Sequence, residues 1–281
     1  MIKIISYGDR ITEGNYQLHS RFKNYLNLAC RNKLVTITDR SENNGPVNII
    51  LEKLPELRTQ IIPIRKNEIM LNCKSYSFKN SRKFNSNLHI NPSQFISLIN
   101  KIDLIQNYLL ENGSEASLKY LLDKQLYVPE NNFQGKMKYS LQQGVLKFLA
   151  GEVAAGIKQI KGKGIGLTPS GDDLITGILY GLFLLQTQGF DLTELKKTIL
   201  RNSLTGNLIS GNYITLAAAG SFFNDFKQLV LALTTENNEE LALKTAAILR
   251  KGETSGADML TGFILTLQKK ELLCNSSFLV N

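Results

Sequence analysis

The chain has 281 residues, 43% of them hydrophobic and 20% charged, with a formal net charge of +9. That length supports one large domain or two modest ones, and the ordinary charged fraction excludes wholesale disorder. The longest apolar stretch, Leu174 to Leu185, is about a dozen residues against the roughly 20 a membrane helix needs, so no membrane contact is expected. Met1-Ile-Lys-Ile-Ile-Ser-Tyr-Gly has no long apolar run and no small-residue cleavage site, so no secretory signal is expected. Cys30, Cys73 and Cys274 are odd in number and lack a Cys-x-x-Cys spacing, which predicts reduced, mostly buried thiols in a cytoplasmic protein.

The charge is unevenly placed. Residues 1–100 hold 15 Lys and Arg against 7 Asp and Glu, whereas residues 151–281 balance at 12 against 12. A basic first third suits an acidic partner subunit, an anionic substrate or a solvated face. No helix-turn-helix, zinc-finger or RNA-binding aromatic signature accompanies it, so nucleic acid is not expected as a partner.

In chain order, short β-branched runs come first: Ile2 to Tyr7, Leu34 to Thr38, Val47 to Leu51, Gln60 to Ile64 and Glu68 to Cys73. Between them Phe22, Tyr25, Leu26 and Ala29 recur at i, i+3, i+4, i+7, predicting a helix over His19 to Arg31 that begins beside His19. The polar run Lys79 to Asn87 reads as a loop or linker, and Asn91-Pro-Ser as a helix start. One apolar stripe then runs from Phe95 to Leu109 and ends near Asn112-Gly113. Another runs from about Met137 to Ile160. Gly177, Gly181 and Ala217 to Gly220 suggest close helix packing. The expected fold is α+β: a β-rich N-terminal domain over 1–88, then an all-α C-terminal domain over 89–281 with an internal helix-start repeat.

The repeat carries the chemistry. Gly162-Lys-Gly-Ile-Gly-Leu-Thr-Pro-Ser-Gly-Asp-Asp173 opens the apolar run from Leu174, and 85 residues later Thr254-Ser-Gly-Ala-Asp258 opens the run from Met259. Laying Ser170 on Ser255 gives six identities in thirteen positions, and Ile209-Ser-Gly-Asn-Tyr-Ile-Thr215 echoes the start more weakly. A helix N-terminus offers unpaired N–H groups and partial positive charge, so Gly164, Gly166, Thr168, Ser170, Gly171, Ser255 and Gly256 are candidate anion-binding residues. Asp172, Asp173 and Asp258 would repel an anion; they suit a divalent cation such as Mg²⁺, a substrate amide N–H or a transferred proton, and are the candidate catalytic residues. The plainer alternative is that each Ser-Gly-x-Asp merely caps its helix. Asp172 has no counterpart, because Ala257 fills its place. His19 and His89 are the only histidines, so no Ser-His-Asp triad is expected; His19 is a candidate substrate contact.

Gly164-Ile-Gly-Leu-Thr-Pro-Ser-Gly-Asp-Asp-Leu-Ile-Thr-Gly resembles the signature of a prokaryotic family linked to the AllH-type subunit of oxamate carbamoyltransferase. The likeness extends to Leu18-His-Ser-Arg-Phe, Asn27-Leu, Leu34-Val-Thr-Ile, Asn44-Gly-Pro and Thr254-Ser-Gly-Ala-Asp258. It departs at Gly164-Ile-Gly166, where the family often has Gly-Pro-Gly. The resemblance implies a role in anaerobic allantoin and purine catabolism. There a hetero-oligomeric enzyme splits oxalurate with phosphate into oxamate and carbamoyl phosphate, with other subunits as partners. Two further readings stand beside it: a non-catalytic structural or regulatory subunit, and a stand-alone metal-dependent hydrolase using Asp172, Asp173 and Asp258.

Overall fold

The computed structural model describes residues 3–126 and 131–274. The chain divides into two units, Met1–Leu88 with Ser221–Lys227, and His89–Gly220 with Gln228–Asn281.

In the first unit the β-branched runs become strands. They are β1 (Ile4–Gly8), β2 (Gly14–Phe22), β3 (Tyr25–Cys30), β4 (Lys33–Thr38), β5 (Asn48–Leu51), β6 (Ile61–Arg65), β7 (Glu68–Leu71), β8 (Lys74–Ser77) and β9 (Arg82–Phe84). They form one nine-stranded curled sheet in the order β8-β7-β6-β2-β3-β4-β5-β1-β9. Neighbours are antiparallel except β4 with β5 and β1 with β9. Tyr16, Leu26, Leu28, Val35, Ile37, Ile49, Ile62, Ile64 and Ile69 fill one face, the alternation that a half-buried strand requires. The first expected strand starts at Ile4; Ile2 lies outside the described residues.

Three expectations are corrected. The segment from His19 to Arg31 is not a helix but the β2–β3 hairpin, with Phe22 opposite Tyr25 across Lys23-Asn24. Leu26 and Leu28 face the core two residues apart, so period 2 prevails over the helical spacing. The polar run after Lys79 contains β9, which pairs with β1 through Ser6–Arg82 and Gly8–Phe84. Its Arg82 and Lys83 suit an edge strand, where charge guards the unpaired side. The thiols are free but not mostly buried. Cys73 is exposed, because Asn72 and Cys73 both take positive φ (51° and 63°) in the two-residue turn joining β7 to β8.

The second unit is helical: α1 (Pro92–Ile99), α2 (Ile102–Asn112), α3 (Phe133–Leu149), α4 (Val153–Ile160), α5 (Ser170–Thr187), α6 (Thr193–Ser203) and α7 (Leu208–Ala218) lead into α8 (Asn224–Leu233), which spans the end of the Ser221–Lys227 segment. Then come α9 (Asn238–Leu249), α10 (Ser255–Gln268) and α11 (Lys270–Cys274). Asn91 caps α1 in a full capping box with Gln94, and Pro92 sits at its first turn. Each long apolar stripe is two helices rather than one: α1 and α2 break at Asn100-Lys101, and α3 and α4 break around Gly151, where φ is 92°. No helix among the described residues is long and apolar enough to cross a membrane.

Candidate functional site

The internal repeat is a pair of helical hairpins. The connection from α4 to α5 corresponds to that from α9 to α10, and α5 packs against α10. A Cβ on Gly177 would lie 1.9 Å from the Met259 carbonyl oxygen, and one on Gly262 would lie 2.1 Å from that of Leu174. Gly177 and Gly262 are 85 residues apart, as are Leu174 and Met259, so the crossing is pseudo-two-fold. Each helix start is seated alike. Gly171 N–H donates to Lys163 O (2.8 Å) and Gly256 N–H to Lys251 O (3.0 Å). Added Cβ atoms there would meet Ile160 O and Ile248 O at 2.0 and 1.9 Å.

The same glycine N–H groups that an anion would need are therefore taken up by the protein's own carbonyls. Asp172 and Asp173 N–H likewise donate to Pro169 O (2.8 and 3.1 Å), and Asp258 N–H to Thr254 O (2.8 Å). The last three are ordinary bonds of a helix's first turn; Gly171 and Gly256 N–H are the ones spent on the preceding loops.

The structure brings the two junctions together. Thr168 Oγ1 lies 3.0 Å from Ser255 Oγ, and Ser170 Oγ lies 3.4 Å from Thr254 Oγ1. Thr168 also donates to Asp173 Oδ2 (3.0 Å), so hydroxyls from both hairpins surround one carboxylate. Asp258 Oδ1 accepts from Leu118 N–H (2.7 Å), at the start of a short 3₁₀ turn, Leu118–Leu121. Asp172 Oδ1 accepts from Gly162 N–H (2.7 Å) and so holds the root of the loop before α5. All three aspartates are at most 2% exposed.

Burial dominates their titration. It raises Asp173 well above the ordinary carboxylate range; the Ser255 and Thr168 hydroxyls oppose the rise, and neighbouring Asp258 and Asp172 add to it. Burial pushes Asp258 up to about 6 against the Leu118 N–H and the Ser170 and Thr254 hydroxyls. It also raises Asp172, opposed by Gly162 N–H, the Ser210 hydroxyl and Lys161. Those hydroxyls lie close without hydrogen bonds of good geometry: Asp172 Oδ2, Ser210 Oγ and Asp258 Oδ2 are all buried and lack a well-aligned partner among the described residues. A buried acceptor without a well-placed donor is costly, and Asp172 Oδ2 and Asp258 Oδ2 share that cost; Asp172 is the one at the longer loop.

The raised acids set a pH dependence. An acid whose pKa is higher in the fold than its ordinary 3.8 binds more protons folded than unfolded within that window. Stability then falls as pH rises toward about 6 and levels off above it. Asp258 is expected to cost up to roughly 3 kcal/mol at neutral pH. Asp258→Asn keeps an acceptor for Leu118 N–H, so it should flatten this fall in urea midpoints measured from about pH 4 to 8. An unchanged pH slope would place the burden on other groups.

The hairpins differ in one respect. Ile160 and Ile248 are 88 residues apart but Ser170 and Ser255 only 85, so the first connection is three residues longer. The longer loop is exposed: Ile165 is 76% and Leu167 51% accessible. Gly164 and Gly166 take φ of 122° and 115°, a region that glycine alone adopts without strain. Asn207, missed in the sequence, caps α7 by accepting from Ile209 and Ser210 N–H and holds this loop through Leu167 O (2.7 Å). The weak third echo at Ser210 thus lies beside Asp172. Leu118 was also missed; nothing near it in sequence announces a partner at Asp258.

His19 lies on β2, in the first unit, and pairs with Ser20 (3.2 Å), whereas the junction residues belong to the second unit. An open cleft of about 420 Å³ near His89, lined by Ile90, Asn91, Gln94 and Thr187, includes none of the junction residues. Among the described residues, no three His, Cys, Asp or Glu side chains group as ligands for a metal ion.

No curated protein and no solved structure matches the chain. Residues 160–267, a span that holds both junctions and α7, match the family model of oxamate carbamoyltransferase subunit AllH.

Proposed function

We propose that the chain is a subunit of a carbamoyltransferase of the oxamate carbamoyltransferase type, working with other subunits on a small ureido anion in allantoin and purine catabolism. The observation that carries this reading is that the matched span coincides with the paired hairpins and their one asymmetric loop. The symmetric parts, Gly171, Gly177, Gly256, Gly262 and Asp258, act as frame. The exposed loop from Gly162 to Thr168, rooted by Asp172, is the part that meets ligand. In the reaction proposed, a phosphate oxygen attacks the carbamoyl carbon of oxalurate, the bond from that carbon to the oxamate nitrogen breaks, and the nitrogen takes a proton. Asp172 Oδ2 would accept an N–H of the ureido group, and Gly166, with open space where a side chain would stand, would let an anionic oxygen approach the loop backbone, while Gly164 makes room for Ser170.

The Gly171 and Gly256 N–H groups, bonded to Lys163 O and Lys251 O, favour one alternative, a structural subunit in which the junctions only pack. The hydrolase reading lacks a donor set, because Asp172 and Asp258 are committed to separate backbone N–H groups and no three-ligand cluster forms among the described residues. Phosphorolysis of oxalurate, followed as carbamoyl phosphate formed, tests the proposal. The purified chain alone should be inactive and the reconstituted complex active. Full activity of the isolated chain would overturn the need for partners, and a complex equally active without this chain would overturn its role.

A further inference from the structure

The β2–β3 hairpin contains a bulge: Leu18 pairs with Leu28, but Ser20 pairs with Asn27, leaving His19 as the extra residue. A bulge re-aims side chains, and here it brings His19 and Ser20 together with the face that carries Asn27 and Thr36. That face holds an unbroken polar chain across three strands. Thr36 Oγ1 donates to Asn27 Oδ1 (2.9 Å), Asn27 Nδ2 donates to Ser20 Oγ (3.1 Å), and Ser20 Oγ lies 3.2 Å from His19 Nδ1. Thr36 and Asn27 are only 6% and 8% exposed, whereas His19 is exposed. Beyond Gln17, β2 is paired on its β3 side only, so this end of the strand is open. Arg21 and Lys23 follow, exposed and without an ion pair among the described residues.

The chain has a direction. Thr36 gives its proton to the Asn27 oxygen, which leaves the Asn27 amide N–H for Ser20 Oγ. Ser20 accepts there with one lone pair and keeps its own proton, which we assign to the contact with His19 Nδ1. Nδ1 is then an acceptor, and the ring carries its hydrogen on Nε2, at the exposed end. We infer that His19 is a hydrogen-bond donor built to hold a small oxyanion, a carboxylate or a phosphate, at the open end of β2. Ser20, Asn27 and Thr36 are positioning residues that fix its tautomer. This does not depend on the reading of the helical hairpins.

His19 and His89 are the only histidines, so long-range ¹H–¹⁵N spectra of the full chain contain two imidazoles, told apart by His89→Gln. His19 should show an acceptor-type Nδ1 and a protonated Nε2. Inorganic phosphate and, separately, sodium oxalate should shift Nε2 saturably, and the tighter of the two identifies which oxyanion the site prefers. Thr36→Val should restore a tautomer mixture at His19 and weaken binding about fivefold, the effect of one lost hydrogen bond, with Thr36→Ser restoring both. Ser20→Ala, on a partly exposed side chain, gives the same readout should Thr36→Val fail to fold. A His19 hydrogen on Nδ1 in the unaltered chain, shifts that do not saturate, or a tautomer indifferent to Ser20→Ala would each overturn the inference.

Discussion

Gly177→Ala and Gly262→Ala should each destabilise the helical unit by about 2 kcal/mol, read as a lower urea midpoint or a lower melting temperature. Two effects oppose each other here. Alanine is favoured over glycine within a helix by about 1 kcal/mol. Against that, the new methyl would sit 1.9 Å from Met259 O or 2.1 Å from Leu174 O. Those neighbours are backbone atoms of the facing helix, so no rotamer change relieves the clash; α5 and α10 must separate, and the contacts between them weaken along their length. The clash therefore wins. At Gly181 the neighbour is the Thr266 side chain at 2.8 Å, and alanine there should cost less. Once one methyl has parted the helices the second meets less resistance, so the double variant should lose less than the sum of the singles. Additive losses, or no loss, would mean that α5 and α10 do not cross as tightly as the glycine positions require.

The helical half of this arrangement was legible because its signals are local. Asn91-Pro92 marks a helix start through chemistry confined to four residues, and the repeated Ser-Gly-x-Asp marks two more. The β2–β3 hairpin was not legible for the converse reason. Phe22, Tyr25, Leu26 and Ala29 satisfy a helical spacing by accident of the turn at Lys23-Asn24, and what selects strand is the pairing of β3 with the adjoining β4 and of β2 with β6, which is distant in sequence. β9 is polar because only the β1 side of its ladder is occupied, so its sequence looks like loop. At the candidate site the aspartates could be placed on helix starts, but their partners could not. Asp258 reaches Leu118 across 140 residues, and the N–H groups reserved for an anion turn out to be bonded within each hairpin. Spacing reports which residues share a junction, not which way its donors face.

That distinction leaves Asp172 as the informative residue. Its Oδ1 is occupied by Gly162 N–H, and its buried Oδ2 has only the poorly aligned Ser210 hydroxyl beside it. Asp172→Asn retains an acceptor for Gly162 and nearly the same volume. It removes the charge and places an N–H₂ where the open acceptor stood. If that oxygen receives a substrate N–H, the variant loses a charge-assisted hydrogen bond, and the reconstituted complex should form carbamoyl phosphate roughly 10- to 100-fold more slowly. The fold should not suffer, because an amide is no harder to bury than a carboxylate whose pKa burial has already raised. Asp258→Asn in the same complex is the control: its Oδ1 also serves a backbone N–H, but it belongs to the frame, so turnover should stay within about twofold. Slow turnover with an unchanged melting temperature in Asp172→Asn alone would place the chemistry at the longer loop. Full activity in both variants would leave the two junctions as packing devices and the chain as a structural subunit.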